Sequence, residues 1–239
     1  MDHNWDYFSR LSGKNPTNAY QRLKDAQAAA RARRYDVALE GYIWFHENSV
    51  DEPSMAGVRL SFALMYWIEL GKVYPPARTA LEEVRDRKTK SLLNGFRDFQ
   101  SFLDVVSINK HLGSERATYD LFVSLNSSSP QLAQVYADLA LPALIAVEDF
   151  VLARQFMPDP TEEIEKLAKL FRATSSHVDL ETSVHLFADR LMVLVQILRG
   201  IGDFVKADEV IAAASEAFES PEARDAFRAA IADSHGASG

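Results

Sequence analysis

The chain has 239 residues, of which 47% are apolar and 25% charged, and it contains no cysteine. This composition is that of a globular protein, and it excludes collagen, a disulfide scaffold, cysteine-ligated metal sites and thiol catalysis. The net charge is −8, with 15 basic and 13 acidic residues in 1–100 against 11 basic and 21 acidic residues in 101–239. An acidic chain without a long basic stripe does not favour nucleic-acid binding.

Helical patterns fill the chain, because apolar residues recur at spacings of three and four in segments rich in Ala, Leu, Glu and Arg. No β-branched stretch of period two indicates a strand. Proline, glycine and capping residues set the ends of the predicted helices. In chain order these helices lie at about 15–33, 36–47, 53–71, 77–87, 89–112, 115–125, 131–147, 150–157, 160–173, 179–199, 204–218 and 221–233.

The first residues, MDHNWDYFSRLSGKNP, lack the basic start and apolar core of a secretory signal. No apolar stretch approaches the roughly 18 residues that span a membrane. We therefore expect a cytoplasmic protein with no membrane partner.

One short pattern recurs where five helices begin. A helix ends, often at glycine, and a short turn leads to an aromatic or other side chain and then to an alanine in the next helix. Such a small residue allows two antiparallel helices to cross closely. The five copies are RRYDVA ending at Ala38, GKVYPPA at Ala77, GSERA at Ala117, EDFVLA at Ala153 and GDFVKA at Ala207.

This pattern resembles the tetratricopeptide repeat, most clearly from Leu191 through Gly202 and Phe204 to Ala214. The resemblance implies an all-α fold, namely a right-handed α-solenoid of about five antiparallel helix hairpins with capping elements at both ends. Its implied organisation is an N-terminal cap at 1–16, repeats at 17–218, and a C-terminal capping helix and flexible tail at 219–239. The intervals between the alanines are longer than the family's period of about 34 residues.

The resemblance also implies a function, because proteins of this family usually bind peptides, helices or protein surfaces in a concave groove. We expect a non-enzymatic interaction module or scaffold without a cofactor, whose partner carries a basic segment facing the acidic second half. Self-association and a ligand-sensing regulatory role are compatible with the same pattern. By analogy with the family, the groove residues are Tyr20, Gln27, Arg31, Phe62, Met65, Glu69, Asn109, Lys110, Gln196 and Arg199.

A weaker pattern indicates an alternative of another class, a metal-binding or catalytic helical protein. His177, Glu181 and His185 follow one another at four-residue intervals, and such positions share one face of a helix. The two histidines lie about 12 Å apart along a helix axis, so all three side chains cannot hold one ion. No nucleophile elbow, phosphate loop or glycine fingerprint accompanies them.

Two further histidines, His46 and His111, lie near predicted helix ends, where a cation complements the helix dipole. The phenylalanines Phe96, Phe99 and Phe102 follow one helix face and are predicted to pack in the core.

Overall fold

The computed structural model describes residues 18–52, 54–174 and 178–236, with side chains through Asp233. Over these ranges the chain is all-α, as predicted, and forms no strand. In this described part, none of the helices combines the length and apolar character needed to cross a membrane. The helices are α1 (Asn18–Arg31), α2 (Tyr35–Asn48), α3 (Ala56–Leu60), α4 (Phe62–Val73), α5 (Pro75–Leu93), α6 (Phe99–Leu112), α7 (Glu115–Ser128), α8 (Pro130–Ala146), α9 (Phe150–Phe156), α10 (Pro160–Thr174), α11 (Leu180–Gly200), α12 (Phe204–Glu216) and α13 (Pro221–Gly236).

Two predicted helices are each divided in the structure. The segment 89–112 is not one helix, because Gly95 turns the backbone at φ 92° and the Asp98 side chain accepts the amide protons of Gln100 and Ser101 to start α6. The segment 53–71 separates into α3 and α4 at Ser61, and α4 continues to Val73. The N-terminal cap at 1–16 and the predicted start at Pro53 lie outside the described residues.

The chain divides into two compact units, residues 1–124 and 125–239, and the boundary falls within α7. In the first unit, α1 packs on α2, α4 on α5, and α5 on α6. The helices that open the pairs also touch in series, since α4 contacts both α1 and α6. Leu23, Phe45, Leu64 and Trp67 form the centre of this core.

The second unit is arranged around α11. This helix contacts α8, α9, α10, α12 and α13, and its buried residues include Phe187, Leu191 and Val195. Within this unit, α8 packs on α9 and α12 packs on α13, and all four helices also contact α11. The aromatic ring of Phe218 lies 5.2 Å from that of Phe227, which fixes the start of α13.

Four helix junctions share one backbone turn and the same short link to the next helix. In each, a residue with positive φ follows a helix, and the amides of this residue and the next one bond back to carbonyls three and five residues earlier. This is the Schellman motif, which closes a helix and redirects the chain. The residues with positive φ are Arg33, Gly113, Glu148 and Gly202, each two positions before the next helix begins. Gly95 makes the same turn after α5, but it lies four positions before α6.

The predicted small residues occupy the helix crossings in four copies, since Ala38, Ala77, Ala153 and Ala207 are fully buried. In the third copy the prediction is wrong, because Ala117 is exposed. The neighbouring Thr118 is buried instead, with 2% exposure. Counted from the turn glycine, Thr118 lies five residues after Gly113, as Ala207 lies five after Gly202.

The turn aromatics pack against the turn of the next pair rather than beneath their own. The ring of Tyr35 lies 5.9 Å from that of Tyr74. The ring of Phe150 covers Gly200, the last residue of α11, and leaves no room there for a Cβ. Phe204, in the last copy, is 61% exposed and does not fill the space beneath its own turn.

Candidate functional site

A cluster of four ionisable side chains lies inside the first unit, around Asp104 of α6. Its Oδ1 accepts a hydrogen bond from Nη2 of Arg59 in α3, and Nζ of Lys88 in α5 lies 2.9 Å from its Oδ2. The imidazole of His46 in α2 places Nε2 3.7 Å from the same Oδ2. Gln100 donates a further hydrogen bond of 3.1 Å to Oδ1. The carboxylate therefore joins side chains from four helices.

Three of the four side chains are removed from solvent, and the fourth, Lys88, is 25% exposed. Asp104 has no exposed surface, and Arg59 and His46 are only 1% and 2% exposed. Burial, together with the charges of Arg59 and Lys88, lowers the pKa of His46 to about 4 against the opposing effect of Asp104. Burial raises the pKa of Asp104, but the hydrogen bond and the charge of Arg59 outweigh it, and the pKa lies below its usual value. At neutral pH the cluster thus holds an ionised Asp104 and a neutral His46.

This arrangement suits a structural role better than chemistry on a substrate. A catalytic acid or base must reach the proton that it transfers, and Asp104 and His46 have almost no exposed surface, while Lys88 is the side chain of the cluster that reaches solvent. A buried carboxylate paired with arginine and lysine instead fixes which helices pack together, because any other packing leaves a charge unpaired. Asp104 therefore ties α3, α5 and α6 to one register.

The structure corrects the prediction that His46 and His111 complement helix dipoles. His46 is neutral at pH 7 because its pKa is about 4, so it supplies no positive charge to the end of α2. The Nε2 atom of His111 lies 3.3 Å from the carbonyl oxygen of Leu60, outside its own helix. Burial and the charge of Lys110 lower the pKa of His111 as well.

In the first unit, the predicted groove residues differ in accessibility. Along α4, Phe62, Met65 and Glu69 follow one stripe, where Phe62 is half-buried, Met65 is 43% exposed and Glu69 pairs with Lys72 at 2.5 Å. These residues lie opposite the buried Leu64 of the same helix.

The predicted residues of α1 and α6 include two that are buried. Gln27 and Asn109 are 8% and 1% exposed, which corrects their placement on an accessible face. The amide of Asn109 donates to Oγ1 of Thr118 at 3.0 Å and so joins α6 to α7. Tyr20 is half-buried, while Arg31 and Lys110 are exposed.

In the second unit, Gln196 is half-buried on α11, and Arg199 donates to Asp208 of α12 at 3.3 Å. The alternative metal site is only partly covered by the structure, because His177 lies outside the described residues. His185 is exposed, and its Nδ1 lies 2.8 Å from the carbonyl oxygen of Glu181. Among the residues that the structure does cover, no three His, Asp or Glu side chains come close enough to hold a metal ion.

The buried cluster is the feature that sequence reasoning missed. One signal was present, because Asp104 stands on the apolar side of α6 between the buried Phe102 and Val105. Arg59 likewise interrupts an apolar run between Val58 and Leu60. A charge within a buried face needs a partner of opposite sign, although spacing alone does not say that these two residues pair.

Comparisons with family models, with curated proteins and with solved structures find no match for this chain.

Proposed function

We propose that this chain is a helical-hairpin solenoid that works as a non-enzymatic binding module for a segment of another protein. The observation that carries the proposal is the recurrence of one Schellman turn at Arg33, Gly113, Glu148 and Gly202. A repeated turn that joins paired helices is the building principle of solenoid repeats, whose function lies in extended surfaces rather than enclosed pockets. The contacts of Tyr35 with Tyr74 and of Phe150 with Gly200 add support, since each links successive turns.

Within the first unit, the binding face is proposed to follow the outward side of the opening helices. Met65 lies at its centre, with Arg31 on α1 and Lys110 on α6 as exposed cations. An apolar anchor flanked by charges is the usual composition of a recognition surface, in which the anchor contributes affinity and the charges contribute specificity. The charge cluster around Asp104 supports this role by joining α3 and α5 to α6, one of the helices that carry the face.

The test is quantitative affinity capture with a variant in which Arg31, Met65 and Lys110, all of the first unit, are changed together. A matched control changes exposed residues of the same kinds on α5, namely Arg78, Leu93 and Lys90. A protein that binds the wild type and the α5 control, but not the groove variant, supports the proposal once the purified pair reproduces the result. Equal retention of every captured protein by both variants removes it.

A further inference from the structure

A second surface lies in the other unit, where α12 and α13 leave a groove between them on the outside of α11. The groove encloses about 490 Å³, within the range of cavities that accept ligand side chains. The half-buried Ile211 and the exposed methyl group of Ala212 supply its accessible apolar surface, above the buried side chains of Phe227 and Ile231. No larger side chain extends from this position of α12 to fill the space.

The apolar floor of this groove is held in place by the core beneath it. Phe227 is fully buried, and its ring contacts Phe187 at 5.8 Å and Phe218 at 5.2 Å. A ring fixed on two sides does not need to reorganise when a ligand arrives, which lowers the cost of binding. The groove is therefore preformed.

The rim of the groove carries two carboxylates and one cation, Arg228, which pairs with Asp225 outside the groove at 2.8 Å. Asp208 and Glu216 stand at its two ends, eight residues apart on α12, and their side chains are 73% and 77% exposed. Asp208 pairs with Arg199 at 3.3 Å and Glu216 lies 4.0 Å from Arg224, but these exposed carboxylates remain open to water. Over residues 199–233 there are eight acidic and four basic side chains, a net charge of −4.

We propose that the α12–α13 groove is a docking site for a basic amphipathic helix of a partner protein. Apolar side chains one turn apart enter between Ile211 and Ile231, as in other helix-in-groove complexes. Lysine or arginine residues seven or eight positions apart on the bound helix then reach Asp208 and Glu216, which are separated by about 12 Å along α12. The proposal does not depend on the face around Met65, because the two surfaces belong to different units.

The test uses two synthetic helical peptides and fluorescence anisotropy with the full chain. Both peptides carry leucine at positions i, i+4 and i+7; one has lysine on the flanks, and the other has glutamate at the same positions. We expect the lysine peptide to bind at least about tenfold more tightly than the glutamate peptide. We also expect its affinity to fall with added salt. Binding of both peptides with equal affinity, or of neither, overturns the proposal.

Paired variants then locate the site. Ala212→Trp fills the groove, whereas Ala213→Trp places the same side chain on the neighbouring exposed position outside it. We expect Ala212→Trp to weaken the lysine peptide about tenfold or more and the control to leave it unchanged. Equal affinities for the two variants show that the peptide binds elsewhere and contradict the assignment.

A charge reversal covers the case in which Ala212→Trp disturbs the fold. The double variant Asp208→Lys/Glu216→Lys changes only exposed side chains, and its control reverses Glu209 and Glu219, which do not line the groove. The rim variant is expected to lose the preference for the lysine peptide, while the control keeps it. A preference that survives in both variants overturns the assignment of the acidic rim.

Discussion

The ring of Phe150 lies directly over Gly200, so that a Cβ on this glycine would overlap the ring carbons. This contact joins the start of α9 to the end of α11, and it requires that residue 200 has no side chain. We predict that Gly200→Ala destabilises the second unit by about 1–3 kcal/mol, because the ring of the half-buried Phe150 must leave its place over the glycine.

Gly57 provides the matched control for this substitution. It also lies in a helix, but a Cβ there would meet no atom within 4 Å. Gly57→Ala is expected to be neutral or to stabilise by up to about 1 kcal/mol, since alanine has the higher helix propensity. Urea denaturation of both variants measures the difference, and equal midpoints would show that the Phe150 contact has no energetic weight.

The residues with positive φ at two of the four repeated turns are not glycine. Arg33 has φ 58° and Glu148 has φ 62°, a backbone conformation in which a Cβ is strained. We predict that Arg33→Gly and Glu148→Gly each raise stability by about 0.5–1 kcal/mol, because the strain removed exceeds the added entropy of the unfolded chain. Thermal denaturation tests this, and a loss of stability in both variants would contradict the assigned turn.

The first turn also lacks the side-chain cap that follows the turns at Glu148 and Gly202. Asp149 and Asp203 accept the amide protons of Leu152 and Lys206, whereas Arg34 stands at the same position with no side-chain cap. We predict that Arg34→Asp stabilises the start of α2 by about 0.5–2 kcal/mol. The control Arg34→Ala removes the same side chain without adding a cap, so a gain common to both variants would exclude capping as the cause.

Stability should depend on pH through His46. Its pKa is about 4 in the folded chain against 6.5 when unfolded, so the unfolded state binds more protons between these values. Stability attributable to this group is therefore complete above pH 6.5 and falls by about 3 kcal/mol as the pH drops to 4. The lowered pKa of Asp104 acts in the same direction below the usual range of an aspartate.

Replacing His46 with glutamine separates its contribution to the pH dependence of stability from that of the other titrating side chains. His46→Gln cannot titrate, and the variant should lose much of the slope of unfolding free energy between pH 6.5 and 4. The exposed His185→Gln serves as the control and should keep the slope of the wild type. An unchanged slope in His46→Gln would mean that His46 does not carry the depressed pKa.

Breaking the ion pair of Arg59 and Asp104 is expected to have the largest effect on the free energy of unfolding. Asp104→Asn leaves Arg59 and Lys88 without their counter-charge in a buried site, and we predict a loss of about 3–5 kcal/mol. The double variant Arg59→Met/Asp104→Leu removes both charges and should cost less than the sum of the single changes. Additive losses in denaturant titrations would show that the two side chains are not coupled.

These residues also show how far sequence reasoning reaches in this chain. Gly113 and Gly202 were recognisable as helix ends because glycine favours positive φ, and the helices on both sides follow the predicted pattern. Arg33 and Glu148 adopt the same conformation, but their side chains carry no signal for it. The pairing of Arg59 with Asp104 spans 45 positions and depends on how α3 meets α6, which local periodicity does not encode.

The proposed binding face is tested most directly by a photo-crosslinking side chain at Met65, which is 43% exposed on α4. Leu93, 51% exposed on α5, carries the same group as the control. If the face around Met65 binds another protein, irradiation in the native cell yields a discrete crosslinked product from position 65 and none from position 93. Crosslinking from position 93 alone, or equally from both positions, would contradict the proposed binding face.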